Sequence, residues 1–306
     1  MWNITSVPEI HFIQLSEDPY LQPVLFDLSL SIYILALFGN LLIILTVSSV
    51  SHLHTPMYFF LSNLSIVDIG FISTTVPRVT VDIQTHCPVI SYVGCLTQMS
   101  MYVIFACMDN MLLAVMSYDR FVAIFHLLYY QVIMNPSRCC VLLLVCFLLS
   151  LVELVFHYVA VLSFSTMRYV EISNFCGPSE VLNLANFDTV TNNIVRFCMG
   201  TLFGLLPISG IIFSYFKIVS SIMRSSSSSG KHKTFFNCGA HFSIVCLFYG
   251  AAIGVHFTSS LSQSPVSYAV ASVMYSVVTP VLNPFICTLR NKDIKTALGK
   301  ILSRSF

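Results

Sequence analysis

Apolar residues in this chain run in long uninterrupted stretches and do not alternate with polar ones. Seven stretches stand out: residues 25–47, 57–79, 95–125, 139–161, 194–222, 236–259 and 267–289, each closed by polar, charged or proline residues. A hydrocarbon core of ~30 Å, crossed at 1.5 Å per residue, asks for about 20 apolar residues per helix. In lipid every backbone N–H and C=O must be satisfied internally, which leaves helices or closed barrels. Stretches of this length without a two-residue period select helices. The expected fold class is an all-α membrane protein, a seven-transmembrane helix bundle.

Composition agrees. The 306 residues are 56% hydrophobic and only 9% charged, against about 25% charged for a soluble domain. Net charge is +1, which points to no nucleic-acid partner. Position tells more than sum: of 14 Lys and Arg, only Arg78, Arg168 and Arg196 fall outside if the N-terminus is extracellular. The remaining eleven, from Arg120 to Arg304, then face the cytosol, as the positive-inside rule requires. The sequon Asn3-Ile4-Thr5 falls on the outer side and is a glycosylation candidate, whereas Asn63-Leu64-Ser65 lies inside the second span. Residues 1–14 carry no basic stretch followed by an apolar one, so no cleavable signal peptide is expected.

Residues 1–306 are expected to form one receptor-sized domain, with a longest outer connection near 162–193 and a serine linker at 225–230. The cytoplasmic tail, 290–306, puts Ile294, Leu298, Ile301 and Leu302 on one helical face and lysines elsewhere. That pattern fits a short amphipathic helix on the inner leaflet of the bilayer. No fixed-period repeat is evident, which argues against a transporter of inverted halves.

Some residues do not belong in lipid. Asp68 in the second span and Asp109 in the third each cost ~3 kcal/mol at the bilayer centre on insertion scales. Two acids at similar depth suggest a shared proton or a bound cation such as Na+ between them, or else one polar packing network with both acids partly protonated. No other cofactor is implied. Asp119-Arg120 closes the inner end of the third span, where an arginine alone would simply snorkel. Glu153 and His157, four apart, share a face of the fourth span and read as a structural pair, since nothing nearby supplies a nucleophile or a metal shell. His52 and His54 lack a third ligand. The eleven cysteines show no CxxC spacing and read mostly as small apolar residues. No enzyme motif is present.

A set of ordered runs changes the picture. Gly39-Asn40 is followed by Leu53-His54-Thr55-Pro56-Met57-Tyr58-Phe59-Phe60-Leu61-Ser62-Asn63-Leu64-Ser65, then Met116-Ser117-Tyr118-Asp119-Arg120-Phe121-Val122-Ala123-Ile124, then Ser214-Tyr215. Lys233-Thr234-Phe235-Phe236-Asn237-Cys238-Gly239-Ala240-His241 and Pro280-Val281-Leu282-Asn283-Pro284-Phe285-Ile286 complete the set. Across nearly its whole length the chain resembles odorant receptors of the rhodopsin-like G-protein-coupled class.

The resemblance implies a multi-pass plasma-membrane receptor. A small, volatile, mostly apolar odorant would bind in the outer half of the bundle, and a heterotrimeric G protein of the stimulatory olfactory type would couple at the inner end, raising cyclic AMP. It implies a switch at Asp119, Arg120, Tyr215, His241, Asn283 and Pro284, with Arg120 engaging Asp119 at rest and reaching toward Tyr215 when active. It implies a Cys95–Cys176 disulfide, for which Cys87 is a rival partner; the family's further loop disulfide has no cysteines here. Counting turns from the matched runs gives pocket candidates: Tyr102, Val103, Ala106 and Cys107 in the third span and Met199 and Phe203 in the fifth. The sixth contributes Tyr249, Ala252, Ile253 and His256, and the seventh Val273 and Ser276. The few donors among them favour a moderately polar organic ligand over an amine or acid. The carboxylate an aminergic receptor would carry at Tyr102 is absent. Cys287, Phe125, Leu127, Phe236 and Asn237 depart from the family's pattern on the G-protein side. A signalling-impaired relic is therefore the alternative, with a channel or transporter behind it.

Overall fold

The computed structural model describes residues 9–12, 20–85, 89–162, 171–172, 176–178, 181, 194, 197–224, 239, 241–254 and 265–303. The first four spans are the helices Leu21–Ser49, Pro56–Thr85, Tyr92–Phe125 and Pro136–Leu162. The fifth opens with a π-helical stretch, Gly200–Leu205, and continues as Leu206–Arg224. The described part of the sixth is His241–Gly254, and the seventh is Pro265–Arg290. A tail helix, Lys292–Leu302, follows at once.

Several spans outrun their apolar windows. Hydropathy ends at the edge of the hydrocarbon, but i to i−4 hydrogen bonding continues into the headgroup zone until a cap stops it. The third span starts at Ser91, whose hydroxyl accepts from the Gly94 N–H at 3.2 Å. The second and third spans are central, with 56% and 50% of their apolar windows buried; the fourth, at 17%, is peripheral. The aliphatic side chains it exposes, among them Val141, Leu144 and Val155, face lipid.

Two prolines fix how the spans meet. Pro284 has no N–H, so the Pro280 carbonyl one turn earlier loses its helical partner. Asn40 of the first span supplies the missing donor: its Nδ2 reaches the Pro280 oxygen at 2.9 Å and the Ala36 oxygen at 3.0 Å. Gly39 makes the approach possible, because a Cβ there would stand 3.0 Å from Pro284 Cβ. Pro207 acts alike in the fifth span. It frees the Phe203 carbonyl within the π-helical stretch, and Asn110 of the third span donates to that oxygen. Both of these breaks are thus repaired by an amide from a neighbouring span, one way in which lipid-embedded proline is tolerated.

A small outer sheet was not expected from the sequence. Strand β1 (Glu9–Phe12) lies between β2 (Val89–Ser91), antiparallel, and β3 (Glu171–Ile172), parallel. Ile10 and Phe12 are buried against Met99, Val103 and the Cys95–Cys176 disulfide, above the third span. Arg78 holds this edge: it pairs with Asp82 at 2.9 Å, donates to the Val89 oxygen at 2.6 Å and lies 5.7 Å from the Phe12 ring centroid. Strands of two to four residues give too little alternation to be legible beforehand.

Candidate functional site

Three polar groupings line the bundle from the cytosolic end outward. At the inner end the Tyr130 hydroxyl, from the one-turn helix Tyr130–Ile133, donates to Asp119 Oδ1 at 2.8 Å. Burial, and then the Asp119 carboxylate, push the Tyr130 phenol well above its ordinary range, so it remains a donor. The Tyr215 hydroxyl is hydrogen-bonded to His241 Nδ1, linking the fifth and sixth spans. These contacts correct the expectation for Asp119 and Arg120. Among the described residues no Arg120–Asp119 ion pair forms, and Tyr215 engages His241. The turn Leu127–Tyr129 folds the inner loop back beneath the third span and delivers Tyr130 to the carboxylate first. Arg120 remains close enough for its charge to act on Asp119, Tyr58 and His241.

Tyr58, at the inner end of the second span, donates toward Asn291 Oδ1 at 3.2 Å and Asp293 Oδ2 at 3.1 Å. The same Asn291 oxygen caps the tail helix, accepting from the Asp293 and Ile294 N–H groups. The joint between the seventh span and the tail is therefore tied to the second span. Sequence reasoning assigned Tyr58 only to a family run and did not find this role.

In the middle, Asn283 Nδ2 donates to both oxygens of Asp68, at 3.2 and 2.9 Å. Asp109 is completely buried and lies within electrostatic reach of Asp68. Neither of its oxygens has a hydrogen-bond partner, and the same holds for Asn283 Oδ1, Thr279 Oγ1 and Asn40 Oδ1. Unpaired oxygens on three spans suit a hard cation, which takes oxygen ligands alone. No cluster of three or more His, Cys, Asp or Glu suited to a metal occurs among the described residues.

Above that level the expected pocket residues divide. Asn110 joins the third, fifth and sixth spans: it donates to Phe203 and accepts from the Tyr249 hydroxyl. Tyr102 packs 5.1 Å from Phe71, Cys107 is buried beside Glu153, and Ser276 is fully buried. Ala106 and Ala252 are half-buried against the core, and Met199 is half-buried just before the π-helical stretch. Val103 belongs to the outer plug with Phe12 and Met99. Ile253 is 55% exposed and turns outward, because it follows Ala252 by about 100° around the helix. His256, Asn3 and Cys87 lie outside the described residues, as does the side chain of Val273. Asn110 and Tyr275 were missed; an amide next to Asp109 in an apolar span was the available signal for the first.

Comparison with known proteins is consistent throughout. The olfactory receptor family model matches residues 29–305. Mouse olfactory receptor 7E178 is 57% identical over 304 residues, covering 99% of this chain and 92% of its own. Human olfactory receptor 7E24 is 58% identical over 303 residues, covering 99% and 89%. Squid rhodopsin superposes with a TM-score of 0.70 at 19% identity, covering 93% of this chain and 82% of its own, and shares the fold.

Proposed function

The chain belongs to the olfactory receptor family, whose members are multi-pass plasma-membrane receptors and not enzymes, and from that premise we propose that it binds small organic odorants and couples to a stimulatory olfactory-type G protein. The observation that carries this reading is the division of the bundle. Asn110 ties the third, fifth and sixth spans together in its upper interior through Phe203 and Tyr249, and a set of breakable pairs, Asp119–Tyr130 and Tyr215–His241, closes its cytosolic end. A ligand that binds one packing of the upper interior more tightly shifts the population of the lower pairs. Arg120, released from ion pairing with Asp119, is the cation offered to the G protein.

Burial dominates affinity for such ligands. At ~25 cal/mol per Å², a molecule burying roughly 250 Å² gains only ~6 kcal/mol, which corresponds to tens of micromolar. The Asp68–Asp109 level holds sodium in this reading, with Asn283, Thr279 and Asn40 offering oxygens. Cys287, buried where the family carries a tyrosine, and the exposed Leu127 and Phe125 weaken coupling relative to a typical member.

Cyclic AMP in cells expressing the chain, measured across an odorant panel beside an Arg120→Ala control, tests the proposal. A response at high micromolar odorant that the control lacks supports it. A response equal in the control, or a rise in calcium without cyclic AMP, refutes the coupling. Sodium is tested in the same cells: Asp109→Asn removes the dependence of activation on sodium, and an unchanged dependence rejects the site.

A further inference from the structure

The outer sheet covers one end of the bundle, and its three strands are held in different ways. β2 runs directly into the third span at Tyr92, and β3 stands shortly before Cys176, whose disulfide to Cys95 fixes it to the same helix. Gln98 adds a second tie there. The Cys176 N–H donates to its Oε1 at 3.1 Å, and its Nε2 donates to the Thr74 oxygen of the second span at 2.9 Å. Among the described residues, β1 is joined to this frame by noncovalent contacts alone. Strands of two to four residues do not hold together in water by their ladders, so β1 stays through its side chains. Ile10 and Phe12 are buried in a cluster with Cys95, Met99 and Val103. Cys95, Met99, Val103 and Cys107 recur every four residues and are all buried, so β1 covers the top of a stripe that descends the third span into the bundle. Arg78, near the outer end of the second span, joins the parts. Its Nε and Nη2 meet Asp82 at 3.1 and 2.9 Å, Nη2 donates to the Val89 oxygen at 2.6 Å, and the guanidinium lies 5.7 Å from the Phe12 ring centroid. Val89 is the register partner of His11, so the arginine grips β2 opposite the residue next to Phe12.

We propose that β1 is a lid, with Arg78 as its latch, that shuts the outer end of the bundle to water and charged solutes. The lid opens without unfolding the receptor, because β2, the disulfide and Gln98 keep the frame when β1 lifts. A charged solute outside the cell has the lid as its way in, since the hydrocarbon around the spans excludes it. An apolar molecule dissolves in the bilayer and reaches the interior between spans with the lid shut. Arg78 is a positioning residue. Removing it takes a charge-assisted hydrogen bond from Val89 and the cation contact from Phe12. The burial of Ile10 and Phe12 remains, so β1 opens more often and is not lost. What the lid guards is the upper interior, so its bearing on odorant entry rests on the reading of that region as the ligand site.

The experiment uses the full chain in intact cells, with Val103→Cys as a reporter beneath Phe12 and Thr85→Cys, exposed at the outer end of the second span, as its reference. Two thiol reagents are added outside: a positively charged methanethiosulfonate confined to water, and N-ethylmaleimide, which partitions into lipid. Peptide mapping reads each site separately from the native cysteines. The charged reagent is expected to modify the Val103→Cys site about a hundredfold more slowly than the Thr85→Cys site. Adding Arg78→Ala or Phe12→Ala should speed it about tenfold, while the maleimide rate changes less than about twofold. Equal charged-reagent rates at the two sites overturn the lid, as does a rate that neither variant raises. A rise shared equally by the maleimide also overturns it, because that reports a general loosening of the bundle. If the variants do not fold, amide exchange of the unmodified chain in nanodiscs decides: protection of about tenfold or more across Glu9–Phe12 supports a docked strand, and none overturns it. No odorant enters the measurement, so a failed lid leaves the proposed function standing, and a failed cyclic AMP assay leaves the lid standing.

Discussion

The inner and middle levels of the bundle differ in how far their buried oxygens are answered. At the cytosolic end Tyr130 answers Asp119, Tyr215 answers His241, and Tyr58 answers Asn291 and Asp293. In the middle both oxygens of Asp109, Asn283 Oδ1 and Thr279 Oγ1 go unanswered. Pairs that close within the protein set a resting shape and are available to be broken. Oxygens left open inside lipid are too costly to keep unless something outside the chain completes them. In the proposed reading the contrast separates a switch below from a sodium level above it, and each variant below attacks one side of it.

The largest effect is expected at the link between the levels. Asn110→Ala strands the Phe203 carbonyl and the Tyr249 hydroxyl together, at a cost of about 2–4 kcal/mol; thermal unfolding in nanodiscs reads it, and a loss below that of Asn40→Ala speaks against the repair role. Asp109→Asn should carry the opposite sign. Without sodium it removes an unanswered acid and stabilises the fold by about 1–3 kcal/mol, an advantage that shrinks as sodium is added. Destabilisation in choline buffer counts against an open site. Tyr130→Phe removes one hydrogen bond of the resting arrangement, about 1 kcal/mol, so basal nucleotide exchange on the G protein rises about fivefold. Tyr58→Phe is smallest. It speeds amide exchange in the tail helix Lys292–Leu302 while the global melting point stays nearly constant.

Much of this architecture was readable beforehand, and the reason is the solvent. Lipid forces each crossing to be a long apolar helix, so hydropathy alone pointed to a helical membrane bundle, and the cost of buried acids singled out Asp68 and Asp109. Pairing inside the bundle was less readable because it depends on helix rotation and crossing. Asp119 sits beside Arg120 in sequence, yet the inner loop's fold hands it to Tyr130, eleven positions away. Ile253 was assigned to the pocket one residue beyond Ala252, and that single step turns it to the outside. Glu153 and His157 share a face and pair at 4.0 Å, as their spacing led one to expect.

One distance tests the switch most directly. Spin labels at Val132 in the inner loop and Phe242 at the start of the sixth span, both exposed, report whether the cytosolic end opens. Adding nucleotide-free heterotrimeric G protein to the labelled receptor should shift the population to a longer separation, and Arg120→Ala should abolish the shift. A distribution unmoved by the G protein, or moved equally in the Arg120→Ala variant, contradicts the account.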